Sequence, residues 1–177
     1  MTTLFLMTGL PAAGKTTRAR QLAAEHRALR LTPDEWMTPL FGMAEPDGMR
    51  DVLEGRLLRL GLDALELGVD VVVDFGGWSR DERSAIRWLA ASVGASCRLV
   101  HLPVDEETRL ARIIGRRAPT PDRPLDLIEA AVRTGRVLFE EPDAAELAGV
   151  EVDEAPPAWL DFSDWREWAA DRWPSFE

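Results

Sequence analysis

Thr3-Leu4-Phe5-Leu6-Met7-Thr8-Gly9-Leu10-Pro11-Ala12-Ala13-Gly14-Lys15-Thr16-Thr17 is the stretch from which the rest of the chain is read. Thr3 to Thr8 is a short, mainly apolar run that predicts a buried strand. Gly9 to Thr17 satisfies G-x-x-x-x-G-K-[ST], between that strand and the helix expected from Lys15 to Arg27. Glycines at this spacing let the backbone turn tightly and aim its N–H groups at phosphate oxygens. The helix N-terminus behind them adds partial positive charge. Lys15 is then placed to reach the β and γ phosphates of a triphosphate, and the Thr16 hydroxyl to bind Mg²⁺. Gly9, Leu10, Pro11, Ala12, Ala13, Gly14, Lys15, Thr16 and Thr17 are the candidate nucleotide-binding residues. The motif admits GTP as well as ATP.

The basic residues sharpen this reading. Of 21 Lys and Arg, only Lys15 is a lysine. The chain uses arginine everywhere else, yet keeps a compact ammonium at the one place where a planar guanidinium should not fit.

Outward from the loop, strands and helices alternate. Ala28 to Leu31 reads as a second strand. Thr32-Pro33-Asp34-Glu35 reads as a helix start, with Thr32 as N-cap and Glu35 closing a capping box. Leu53, Leu57, Leu60 and Leu67 repeat at helical spacing over Arg50 to Leu67. Val69 to Val73 predicts a central parallel strand, and Ser79-Arg80-Asp81-Glu82 a capped helix reaching Val93. Cys97 to Leu102 is a fourth strand, and Asp105 caps a helix to about Ile114. Gly115 to Pro124 is polar, rich in Arg and Pro, and expected to act as a lid. A helix over Leu125 to Phe139, a fifth strand at Gly149 to Val152 and a tryptophan-rich tail helix over residues 157–173 complete the chain. The alternation predicts an α/β fold, a parallel five-stranded sheet with helices on both faces in three layers. Without repeats or a long linker, residues 1–177 are expected to form one domain.

Composition bounds the partners. The chain is 46% hydrophobic and 29% charged, as expected of a globular protein, and carries no apolar stretch of membrane-spanning length. Its one cysteine, Cys97, has no internal disulfide partner, which fits the cytoplasm. His26 and His101 make no zinc pattern. A net charge of −10 argues against a nucleic-acid partner, because such proteins neutralise phosphates with basic surfaces.

Two aspartates follow strands at the edge where open α/β sheets bind ligands. Asp74, closing Val71-Val72-Val73, is a candidate metal residue together with Thr16; a plain strand-end aspartate is the alternative. Asp34 can accept a proton from an attacking hydroxyl; acidic residues are also favoured in any first helical turn. Arg109, Arg112, Arg116 and Arg117 lie on or just after one helix. They can close over a triphosphate, or pair with Asp105, Glu106 and Glu107. Trp36, Met37, Phe41, Met43 and Trp78 suit an acceptor-pocket wall as well as ordinary packing. Trp159, Trp165, Trp168 and Trp173 read as packing.

These motifs in this order resemble the small P-loop kinases related to chloramphenicol phosphotransferase, zeta toxins and the kinase domain of polynucleotide kinase. The resemblance rests on Gly9–Thr17, Thr32–Trp36, Val73–Ser79 and Arg112 with Arg116, over about the first 140 residues. It implies a P-loop NTPase sandwich of strand order 2-3-1-4-5, and phosphoryl transfer from ATP with Mg²⁺ to a hydroxyl. It makes Asp34 the base and Lys15, Arg112 and Arg116 the catalytic cations, with Arg117 an alternative in register. The leading expectation is a kinase for a small molecule such as an antibiotic or nucleoside-like metabolite. The alternatives are a polynucleotide 5′-hydroxyl kinase, a nucleotide-dependent switch with slow hydrolysis and, on size alone, a nucleoside monophosphate kinase.

Overall fold

The computed structural model describes residues 1–42, 47–117 (116 and 117 by backbone only), 138–153, 155 and 161–177. Strand β1 (Thr3–Thr8) leads through the glycine loop into helix α1 (Lys15–His26). Then follow β2 (Leu29–Leu31), α2 (Asp34–Phe41), α3 (Met49–Glu66), β3 (Val71–Val73), α4 (Arg80–Ser92) and β4 (Ser96–His101). Helices α5 (Glu106–Arg117), α6 (Ala144–Leu147) and α7 (Trp165–Arg172) complete the described elements.

The strands pair in parallel in the order β2-β3-β1-β4. This is the implied order as far as its fourth strand. Gly149 to Val152 adds no strand to the sheet among the described residues. Its backbone is used otherwise: Arg87 Nη2 donates to the Val150 carbonyl, and Val152 packs against the core.

The pleat of β1 divides the core, since successive side chains point to opposite faces. Leu4 and Leu6 join α3, α4 and α7 on one face, with Leu57, Leu62, Ile86, Leu89 and Trp173. Phe5 and Met7 join Ala19 and Leu22 of α1 on the other. Helices therefore cover both faces of the sheet. Two caps form as expected: Ser79 Oγ accepts from Glu82 N at 3.1 Å, and Asp105 Oδ1 from Thr108 N at 2.8 Å.

The expected lid and its following helix fall largely on 118–137, outside the described residues. So do Met43, Trp159 and residues 157–160 of the expected tail helix. No described helix is long and apolar enough to cross a membrane.

Candidate active site

At Gly9, φ is +141° and a Cβ would stand 2.7 Å from the Leu102 carbonyl oxygen, so the loop is pressed against the end of β4 and only glycine fits. Gly14 precedes α1 and offers no side chain to cap it, which leaves the first helical N–H groups for an anion. Lys15 Nζ folds back over the loop and donates to the carbonyls of Gly9 (2.7 Å) and Leu10 (3.1 Å).

Thr16 and Asp74 meet. The Thr16 hydroxyl hydrogen-bonds the Asp74 carboxylate, and Arg30 Nη1 donates to Asp74 Oδ2 at 3.2 Å. Burial raises the Asp74 carboxyl above its ordinary range; the Thr16 bond and the Arg30 and Lys15 charges oppose the shift. A buried carboxylate beside a hydroxyl at the end of a phosphate loop suits Mg²⁺, which keeps much of its water and takes few protein oxygens. Among the described residues there is no cluster of three or more His, Cys, Asp or Glu that would make a closed metal cage.

Lys15, Thr16, Asp34 and Asp74 line one cavity of about 320 Å³, together with Arg50 and Glu54. Asp34 opens α2, and its Oδ1 accepts from Arg50 Nη2 at 2.9 Å. The capping box expected at Thr32 does not form: Pro33 takes the N-cap position with no side-chain bond. Glu35 turns instead to Arg30 and to Arg20 (3.0 Å), and these guanidiniums hold its carboxyl below the usual range. Two arginines offer charge-assisted bonds, which outweigh one backbone N–H. Trp78 lines the same cavity, whereas Met37 is core and Trp36 and Phe41 are exposed.

A second cavity, of about 810 Å³, flanks the loop on the β4 side and is lined by Leu10, Ala13, His101, Arg112 and Phe139. Arg112 Nη1 donates to the carbonyls of Ala12 and Ala13, both at 3.1 Å. Arg109 is buried and paired with Glu106 at 3.0 Å, the structural alternative. Arg116 belongs to α5, but its side chain and that of Arg117 lie outside the described residues. The His101 ring stacks on Phe139 at 6.2 Å, and burial lowers its pKa.

Sequence reasoning missed Arg50 and Glu54, whose i,i+4 spacing was the available signal. It also missed Arg83, which is buried, pairs with Glu146 at 2.8 Å and donates to the carbonyls of Gly77, Trp78 and Glu140. Through these bonds Arg83 pins the β3–α4 loop that carries Trp78. Its acidic partner lies 63 residues away, where no local pattern reaches.

The chain matches the AAA domain family over residues 4–142. Adenylate kinase of Sphingopyxis alaskensis is 29% identical in an alignment 131 residues long that covers 66% of this chain and 59% of that protein, so the chain spans less than two thirds of this relative. The Pnkp1/Rnl/Hen1 RNA repair complex contains a chain of similar fold, with TM-score 0.62 and 17% identity over 88% of this chain and 52% of that one. The APS kinase of Mycobacterium tuberculosis, solved with AMPPNP and APS, gives TM-score 0.56 and 18% identity over 80% and 83%. At such identities the likeness is one of fold, and it agrees with the P-loop kinase resemblance of the motifs. With more than half of its length matched, and with the glycine loop at the centre of a parallel sheet, the chain belongs to the AAA domain family and has the P-loop kinase fold.

Proposed function

We propose that the chain is an ATP-dependent phosphotransferase that moves the γ-phosphate of ATP to a hydroxyl of a small molecule, with Asp34 as general base. The observation that carries this reading is the shared cavity: Asp34 faces the same space as Lys15, Thr16 and Asp74. A base must reach the hydroxyl it deprotonates while the phosphoryl group stays on the loop. Two cavities flanking one phosphate loop suit two substrates, the nucleoside in the larger and the acceptor in the smaller.

In this mechanism Lys15 exchanges the loop carbonyls for phosphate oxygens. Arg112, with Arg116 as the second proposed lid arginine, neutralises charge on the transferring group. Thr16 and Asp74 would hold Mg²⁺, which when bound would screen the charge of the phosphate oxygens. Asp34 takes the acceptor hydroxyl on its second carboxylate oxygen while the Arg50 guanidinium stays on Oδ1. As the acceptor oxygen bonds to phosphorus, its proton passes to Asp34, the bond from phosphorus to the bridging oxygen breaks, and ADP leaves.

The −10 charge and the small cavity favour a small acceptor, an antibiotic or nucleoside-like metabolite. The adenylate kinase likeness adds nucleoside monophosphates to the compounds worth testing. A cytoplasmic setting belongs to the same reading, with Cys97 a free thiol.

The test is a mass-shift screen with Mg²⁺-ATP against antibiotics, nucleosides, nucleoside monophosphates and a 5′-hydroxyl oligonucleotide. One compound should gain a phosphate. Oligonucleotide phosphorylation with steep salt dependence would select the polynucleotide reading; ATP-driven conformational change without product across the panel would select a switch. Asp34→Asn should lower transfer about 10²- to 10⁴-fold while nucleotide binding persists. Full activity in that variant would remove Asp34 from the mechanism.

A further inference from the structure

Glu54 lies in the second turn of α3, with its side chain only 6% exposed, and it lines the cavity that holds Asp34. Both of its oxygens are engaged. Arg50 Nε donates to Oε1 at 3.1 Å, and the indole Nε1 of Trp173 donates to Oε2 at 3.4 Å. The same guanidinium that meets Glu54 through Nε meets Asp34 through Nη2. Trp173, Glu54, Arg50 and Asp34 thus form one connected chain of donors and acceptors, running from the C-terminal segment to the candidate base.

The C-terminal segment is seated firmly enough to serve as an anchor. Trp173 and Phe176 are wholly buried. At Gly55 a Cβ would come within 2.9 Å of the Phe176 nitrogen, so α3 and the tail touch backbone to backbone. Ser175 Oγ donates to the Val52 carbonyl. Arg172 Nη1 donates to Asp51 (2.8 Å) and Nε to Glu82 Oε1 (2.9 Å), while Glu82 Oε2 accepts from Trp78 N at 2.9 Å. Both walls of the cavity, Arg50 with Asp34 and Trp78, are therefore tied to the tail.

A buried carboxylate is a poor way to stabilise a fold, because desolvation offsets most of what pairing returns. We propose that Glu54 is a positioning residue for Asp34: it fixes the Arg50 guanidinium from one side and is itself fixed by Trp173, so the C-terminal segment sets the geometry of the base. The inference rests on the phosphotransferase reading, in which Asp34 is that base.

Burial pushes the Glu54 carboxyl up to about 7. The charged groups facing it are Arg50 and Asp51 of its own helix, Arg172 from the tail and, through Arg50, Asp34. Above neutral pH the carboxylate holds Arg50 with full charge; below it the neutral acid does not.

The test uses the full chain and Mg²⁺-ATP alone, with water in the acceptor's place. Wild-type kcat for hydrolysis should rise through about pH 7. Glu54→Gln keeps the size and an acceptor for Trp173. It should lower kcat at alkaline pH about tenfold, leave the KM for ATP unchanged and flatten the profile. Glu54→Asp should restore the inflection. Trp173→Phe removes the indole N–H that favours the carboxylate, and should move the inflection upward. Wild-type kcat with a wild-type profile in Glu54→Gln overturns the inference. The Arg50 Nε–H proton resonance, assigned with Arg50→Lys, needs no nucleotide and should shift with pH through the same region only when Glu54 is present. A resonance unmoved by pH in the wild type overturns the inference even if phosphoryl transfer is found. Nucleotide binding by Lys15→Ala equal to wild type would instead sink the phosphotransferase reading, and the resonance would still decide the Glu54–Arg50 link.

Discussion

At the scale of single residues, charge and its solvation decide what each group can do. Lys15 is the one lysine in the chain, and its ammonium already rests on two loop carbonyls, within the space a phosphate would take. Lys15→Ala should weaken binding of a fluorescent ATP analogue at least tenfold, about 1.4 kcal/mol. Lys15→Arg should not restore it, because the planar fork is too large for that space. Glu54 gives a stability prediction of definite sign. Its folded pKa, about 7, lies above the ordinary 4.5, so the native state holds a proton that the unfolded chain releases. Wild-type stability, measured by denaturant unfolding, should therefore fall relative to Glu54→Gln as pH rises from 4.5 to about 7, by at most about 1.4 kcal/mol per pH unit. The wild-type protein thus gives up stability at the pH where the Glu54 charge would hold Arg50. A difference between the two proteins that does not change with pH would place the Glu54 pKa in its ordinary range.

At the scale of elements, the termini of helices carry the site. Helix α1 begins on the phosphate loop, α2 begins on Asp34, and α4 begins at Ser79, just beyond Trp78. Ser79→Ala removes the acceptor for Glu82 N, and should cost about 1 kcal/mol of unfolding free energy. The loop before α1 depends on backbone conformation. Gly9→Ala must place a methyl group against the Leu102 carbonyl at a positive φ. Thermal unfolding should show a lower Tm, with a loss of about 1–3 kcal/mol, and nucleotide affinity should fall with it. A Gly9→Ala protein with wild-type Tm and affinity would show that the loop can be reshaped without cost. Helix α2 shows how local rules are overruled. Its sequence carries a capping box, but Arg20 and Arg30 converge on Glu35 and take the side chain that the box requires.

At the scale of the molecule, long-range bonds hold separate segments around the cavities. Arg83 joins α4 to α6 through Glu146 and holds the carbonyls of Gly77, Trp78 and Glu140. Glu146→Ala leaves that guanidinium buried without its charge partner, and should cost about 3–5 kcal/mol in denaturant unfolding. The tail does similar work on both walls of the smaller cavity, through Arg172 and Trp173. An exposed tail would leave Glu54 without its indole donor, and Asp51 of α3 and Glu82 of α4 without the arginine that bridges them.

The glycine loop, its strand and its helix were legible because their signal is local. Spacing of glycine, lysine and threonine dictates a backbone conformation within nine residues. The parallel sheet followed from the alternation of strands and helices, and the order of its strands from the resemblance that the motifs carry. Asp34 and Asp74 were found as strand-end acids for the same reason: position in an α/β unit is itself local information. What the sequence could not show was which charges meet. Arg50 on Asp34, Arg83 on Glu146 and Trp173 on Glu54 join residues 16, 63 and 119 positions apart. Twenty arginines offer many pairings of similar local merit, and only packing of the helices against the sheet selects among them. The glycine loop was thus determined by the sequence alone, and the surroundings of Asp34 by the tertiary structure, because the first needs a turn and the second needs a fold.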